Sequence, residues 1–203
     1  MFVGFDSSNY TTSLAILDDS MHQAKQMLSV KHGERGLRQS DAVFQHVSNY
    51  PKLLEQFEMN NIKAVGVSTR PRNAEGSYMP CFTVGYAVAK AVSQSTNVPL
   101  YSTSHQVGHI LAALYSADKL NLINDKFIAF HLSGGTTEAL LVTPDDGEII
   151  KAEIIAASTD LKAGQAIDRT GVMLGFDFPC GKALDNLSYD SDTEFKIKPT
   201  LIG

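Results

Sequence analysis

Apolar and polar residues begin to alternate at the first positions of the chain. Phe2-Val-Gly-Phe-Asp6 and Thr12-Ser-Leu-Ala-Ile-Leu17 are two short apolar runs separated by a small polar break, the pattern of a strand, a turn and a second strand. A third strand-like run covers 23–30, followed by a polar loop, Lys31-His-Gly-Glu-Arg-Gly-Leu-Arg38. Ser40 or Asp41 is placed to cap a helix through Ala42, Val43, Val47, Leu53, Leu54 and Phe57, with a kink expected at Pro51. Residues 62–68 read as a buried strand ended by the turn Arg70-Pro-Arg72. Residues 84–95 carry apolar positions at helical spacing, and small Gly85, Ala87, Ala89 and Ala91 predict a closely packed helix. A short strand over 98–101 and a helix over 104–115 complete the order βββαβαβα.

The pattern then starts again. Shifting the chain by 125 positions lays residues 2–17 on 127–142 without a gap, with Phe2/Phe127, Phe5/Phe130, Ser8/Ser133, Thr11/Thr136 and Thr12/Thr137 identical. Strands are expected over 127–133, 136–143 and 148–157, then a helix over 162–174. Two βββαβα units, each opening on a hairpin with a polar turn, predict an α/β protein of the actin-like ATPase (ribonuclease H-like) architecture. Its lobes are expected at 1–118 and 126–203, on either side of a nucleotide cleft. The second unit is much the shorter and ends in Phe195-Lys-Ile-Lys-Pro-Thr-Leu-Ile-Gly203, a strand being entered. The expectation is that the chain is truncated or that a partner covers the open sheet edge.

Charge narrows the function. With 17 basic and 22 acidic residues among 203, the net charge is −5, which excludes a general polyanion binder and leaves tRNA contact only through a local patch or a complex. Lys31, Arg35, Arg38, Arg70 and Arg72 form the one basic concentration, either an RNA-contact face or surface charge. Cys81 and Cys180 have no paired spacing, so neither a disulfide framework nor a four-cysteine zinc site is expected. The early Asp6 argues against a signal peptide, and no 18-residue apolar run exists. A soluble cytoplasmic protein without a membrane segment is expected.

Three groups of residues carry candidate chemistry. Ser133-Gly134-Gly135-Thr136 is either a phosphate-cradling turn or a plain Gly-Gly hairpin turn. Its repeat partner, Asp6-Ser7-Ser8-Asn9, favours the first reading as a possible first-lobe phosphate turn. His105-Gln-Val-Gly-His109 follows Thr103-Ser104, good N-cap residues. Spaced i and i+4, its two imidazoles share a helix face, where they are a half-built metal site or ordinary surface or core histidines. Gln106 stands where a zincin would need a general-base Glu. Asp168 and Asp185 lie on consecutive predicted helices, where they accept ribose hydroxyls or pair with a nearby cation. Gly181 allows close approach of a flat ligand.

These same residues resemble a known family. His105-x-x-Gly-His109, Ser133-Gly-Gly-Thr-Thr-Glu138, Ala163-Gly-Gln-Ala-Ile-Asp168 and Phe178-Pro-Cys-Gly-Lys-Ala-Leu-Asp185 occur in the order of the TsaD/Gcp family, formerly called O-sialoglycoprotein endopeptidase or glycoprotease. Arg38-Gln-Ser-Asp-Ala-Val-Phe-Gln-His46 is similar to its early helix. The resemblance implies an actin-like fold, an ATP or adenylate ligand, a divalent metal (iron or zinc), and transfer of a threonylcarbamoyl group to a tRNA adenosine. By position it implies His105 and His109 as metal ligands. His131, Leu132, Ser133, Gly134, Gly135, Asp168 and Gly181 match ligand-binding positions, with Asp185 a further addition.

The chain also departs from the family pattern. Tyr10 and Thr11 replace the acidic pair of the first turn, and Val107 the Glu of the histidine motif. Gln165 replaces a Glu, Thr136 a His, and Cys180-Gly181 a Gly-Gly pair. The C-terminal segment, which supplies a third metal ligand in the family, is absent, and no catalytic acid or base is assigned. The chain is thus expected to be a divergent TsaD-like transferase. The alternative is a non-catalytic nucleotide-binding subunit that pairs with an actin-like partner or with itself, and a glycoprotease-type metallopeptidase ranks last.

Overall fold

The computed structural model describes residues 1–8, 10–30, 37–189, 191, 193 and 196. Asn9, Lys31, Arg35 and the strand expected from Phe195 onward lie outside the described residues. Strands β1 (Phe2–Asp6), β2 (Thr11–Leu17) and β3 (Met21–Met27) form an antiparallel meander. Helix α1 (Gln39–Leu54), β4 (Ala64–Arg70), α2 (Phe82–Thr96), β5 (Leu100–Ser104) and α3 (His105–Ser116) follow. β4 pairs parallel with β1, and β5 with β4, giving the order β3-β2-β1-β4-β5. This order, with β2 antiparallel beside β1, is the ribonuclease H-like sheet of the actin-like ATPase fold.

Alternation decides which face carries the core. Val3 and Phe5 sit opposite Ile16 and Leu14 in one direction and opposite Val65 and Val67 in the other. Strand side chains alternate between faces, so these apolar residues collect on one side, where Tyr50 and Leu53 of α1 and Val84 and Ala89 of α2 cover them. Phe5 meets the edge of Tyr50 with ring centroids 5.9 Å apart. Gly85 shows why α2 needs small residues: a Cβ there would lie 2.8 Å from Ser7 Oγ and 3.0 Å from Tyr50 Oη. The opposite face is lined by Gly4, level with Gly66 and Ala15.

The repeat is visible in the elements. β6 (Phe127–Leu132), β7 (Thr137–Asp145), β8 (Ile149–Ala157) and α4 (Ala163–Met173) follow one another as β1, β2, β3 and α1 do. Their sheet order is β6-β7-β8. α5 (Gly181–Ser188) follows as the second of the two consecutive helices expected to carry Asp168 and Asp185. The chain groups into two compact units: Met1–Ile128 with Leu141–Glu153, and Ala129–Leu140 with Ile154–Gly203.

Some boundaries differ from the pattern-based expectation. α1 begins at Gln39 behind Arg38, which makes no side-chain cap bond, so neither Ser40 nor Asp41 caps it. β5 starts at Leu100 and runs to Ser104, because pairing with Val65–Arg70 of β4 places polar Ser102 and Thr103 in the ladder. A short 3-10 helix (Leu120–Asn124) links α3 to β6 and has no periodic signal in the sequence.

Candidate functional site

The site of the first unit is built where β1 and β5 end side by side, separated only by β4. Ser104, the last residue of β5, starts α3: its Oγ accepts the Val107 N–H at 3.2 Å, the N-cap expected from the sequence. His105 is therefore the first residue of α3, and His109 stands one turn further. Their Nε2 atoms approach to 2.9 Å and their rings meet edge to face. His105 turns its other nitrogen, Nδ1, to Asp6 Oδ2 at 2.9 Å. The remaining oxygen, Oδ1, accepts the Ser8 N–H at 2.8 Å. Phe82 of α2 closes on His105 edge-on.

Burial alone would push the Asp6 carboxyl upward. The hydrogen bond and charge of His105, helped by Ser8 and Ser68, outweigh it and hold the pKa at about 2. Asp6 is thus ionised across the ordinary pH range. A cavity of about 570 Å³ opens over this cluster, with Asp6, Ser68, Thr103, His105 and His109 on its wall and Gly4 and Gly66 on its floor. That volume is in the usual range of small-molecule sites.

The histidine pair fits two adjacent positions of a divalent metal. In a tetrahedral site with bonds of about 2.1 Å two imidazole nitrogens stand about 3.4 Å apart, so the pair, hydrogen-bonded at 2.9 Å, needs only a small opening to share a cation. A ligating histidine whose second nitrogen is held by a carboxylate is also the usual support for such a site. No group of three or more His, Cys, Asp or Glu side chains converges among the described residues. The described residues thus offer two ligands, and further positions would be filled from elsewhere.

The two polar turns differ from what repeat symmetry suggests. In the first, Ser7 faces inward and is fully buried, its Oγ donating to the Cys81 carbonyl and accepting the Gly85 N–H. With Asp6 engaged by His105 and the Ser8 N–H engaged by Asp6, these groups hold the lobe together rather than face a phosphate. In the second turn, the Gly135 and Thr136 N–H groups both donate to Ser133 Oγ. Neither Gly134 nor Gly135 adopts positive φ, so backbone strain does not demand glycine there. A Cβ on either would meet no atom within 4 Å, and both face open space.

Other expected residues fall around this second turn and on the two helices that follow. α4 begins on the turn: Gly164 N–H donates to the Ser133 carbonyl and Ala163 N–H to Thr137 Oγ1. Asp168, on α4, accepts the backbone N–H of Cys180 at 2.9 Å and so secures the start of α5. Gly181 opens α5, with nothing near its Cβ position, and Asp185 lies exposed one turn later. His131 is half-buried on β6 and Leu132 beside it is exposed. Of the basic concentration, Arg70 is paired with Glu148.

Sequence reasoning missed two clusters. Asp6 was expected to contact phosphate, and its partnership with His105 needs the strand order, which puts residues 99 positions apart within reach. The second cluster joins β2 to α1: Thr12 Oγ1 meets His46 Nδ1 at 2.8 Å and accepts Asn49 Nδ2 at 3.1 Å. His46 is fully buried, which pushes its pKa down despite the field of Asp6.

Comparison with known proteins assigns the family. Residues 41–202 match the profile of TsaD, tRNA N6-adenosine threonylcarbamoyltransferase, and the chain belongs to that family. A threonylcarbamoyltransferase of Thermosipho africanus is 28% identical over 194 residues, covering 94% of this chain and 57% of the relative. One from Latilactobacillus sakei is 27% identical over 212 residues, covering 100% of this chain and 58% of the relative. The chain thus spans little more than half the length of these curated relatives. Among solved structures, YeaZ from Pseudomonas aeruginosa aligns over 80% of this chain and 67% of its own, with a TM-score of 0.41 and 12% identity. Among the described residues no helix is long and apolar enough to cross a membrane.

Proposed function

We propose that the chain is a metal- and adenylate-binding transferase that moves a threonylcarbamoyl group onto a tRNA adenosine. The observation that carries this reading is the convergence of His105 and His109, backed by Asp6, on a cavity large enough for a small ligand. These histidines would hold a divalent cation, iron or zinc, whose positive charge steadies phosphate or carboxylate oxygens as a Lewis acid.

A phosphate and nucleoside contact is assigned to the second unit by itself. The Gly135 and Thr136 N–H groups would exchange Ser133 Oγ for an ATP or adenylate phosphate oxygen, and the open space at Gly134 and Gly135 supports close approach. His131, Leu132, Asp168, Gly181 and Asp185 are proposed around the nucleoside, Asp168 with the oxygen not committed to Cys180. tRNA would arrive by a local basic patch or within a complex, in the cytoplasm.

One observation favours a second reading, a non-catalytic subunit of a TsaD-type complex. α1 and α2 leave Phe44 72% and Val47 56% exposed beside a groove of about 390 Å³ lined by Val47, Leu54, Val84 and Val88. Such an apolar face fits an actin-like partner or a second copy of the chain.

The test is transfer itself. The chain is incubated with threonylcarbamoyl-adenylate, a divalent cation and a tRNA transcript, and the nucleosides are analysed by mass spectrometry. Threonylcarbamoyladenosine is expected from the wild type and is lost in His105→Ala and His109→Ala. Product formed only when a second actin-like subunit is added, and unaffected by His105→Ala, would replace this reading with the partner one.

A further inference from the structure

We infer that Asp6 is a positioning residue: it fixes His105 in the tautomer that offers Nε2 to a cation, leaving His109 as the only imidazole that must rearrange. The inference rests on the metal reading above and deepens it.

An ionised carboxylate can only accept hydrogen bonds. Asp6 Oδ2 lies 2.9 Å from His105 Nδ1, so Nδ1 carries the hydrogen. In its neutral form, the one that can bind a cation, His105 has a single N–H, and with that hydrogen on Nδ1 its Nε2 is a bare lone pair. That lone pair lies 2.9 Å from His109 Nε2. Two lone pairs would repel at this distance, so His109 carries its hydrogen on Nε2 and donates it to His105.

The two histidines of one motif are thus unequal before any ligand arrives. Neutral His105 has the tautomer a metal needs, and its ring is held from two sides by Asp6 and the edge of Phe82. The carboxylate cannot swing away cheaply, because its second oxygen holds the Ser8 N–H. For His109 to join through Nε2, that nitrogen gives its proton to solvent and Nδ1 takes one back, with no net change in protons. His109 therefore occupies the His105 lone pair until a cation displaces it.

The experiment is a long-range ¹H–¹⁵N correlation on histidine-labelled protein, first without metal and then with zinc added. Before zinc, His105 should be protonated at Nδ1 and bare at Nε2, and His109 protonated at Nε2. After zinc, His105 should keep its pattern while His109 moves its hydrogen to Nδ1. In Asp6→Asn, His105 should show mixed tautomers and zinc should bind about 10–100-fold more weakly, the usual effect of losing such a support. A wild-type His105 protonated at Nε2 would overturn the inference even if the variant failed to fold, as would unchanged zinc affinity in a folded Asp6→Asn. The expected tautomers with His109 unmoved at saturating zinc would instead overturn the metal reading, and the inference with it.

Discussion

A Cβ placed on Gly164 would lie 2.6 Å from the backbone nitrogen of Gly134. The first turn of α4 is thus pressed against the Ser133–Gly134 turn, and the two glycines answer different demands. Gly164 is required by protein backbone already present, whereas Gly134 faces open space.

Gly164→Ala should accordingly destabilise the protein by about 1–3 kcal/mol, the usual cost of forcing a methyl into packed structure. Gly134→Ala and Gly135→Ala should stay within about 0.5 kcal/mol of wild type, as ordinary surface changes do. Denaturant melts separate the two cases. If the open glycines serve a ligand, the same two substitutions should weaken ATP binding by calorimetry while leaving the melts nearly unchanged.

Asp168 and Gly171 should both act through the start of α5. Asp168→Ala removes the acceptor of the Cys180 N–H and should cost about 1–2 kcal/mol. Gly171→Ala should be at least as costly, because its Cβ would fall 2.2 Å from that of Cys180. Urea titrations of the single variants and the double variant check this. Because both changes loosen one contact, their effects should add to less than their sum.

Stability should fall in two separate acid steps. The His46 pKa is lowered by burial, so its contribution is complete above the unfolded value of about 6.5 and is lost as pH drops below it. Asp6 is held at about 2 against an ordinary 3.8, so it adds about 2 kcal/mol above pH ~4 that disappears toward pH ~2. Thermal melts across this range should show the upper step vanish in His46→Gln and the lower one vanish in Asp6→Asn.

Glu148, in the turn between β7 and β8, is shared by Arg70 and by Asn73 Nδ2 at 2.8 Å. Asn73 in turn accepts from Ser104 Oγ, the group that caps α3. A double-mutant cycle of Arg70→Ala and Glu148→Ala should give a coupling of about 1 kcal/mol that shrinks with added salt, since the pair is only partly shielded from water.

The sequence exposes those parts of the fold that repeat at short range. Alternation in Val3, Phe5, Leu14 and Ile16 identified the first hairpin, and the match of residues 2–17 to 127–142 revealed the second. Helical spacing placed His105 and His109 on one face, and Ser104 was legible as the cap of α3. What stayed hidden depends on long-range pairing. Asp6 meets His105 because β1, β4 and β5 lie in register, a relation no local pattern encodes. Thr12, His46 and Asn49 form a buried polar cluster inside otherwise apolar stripes, where each residue alone looks like a surface polar position. The two polar turns share sequence similarity yet hold their N–H groups differently, because Asp6 serves the first and Ser133 Oγ the second.

The most direct test of the account is a zinc or iron(II) titration of the purified chain, wild type against His105→Ala and His109→Ala, with metal content counted per chain in the presence of ATP. One metal per wild-type chain, lost in both variants while their melts remain cooperative, is the predicted result. Metal bound equally well after His105→Ala, or no metal retained by the wild type, would contradict it.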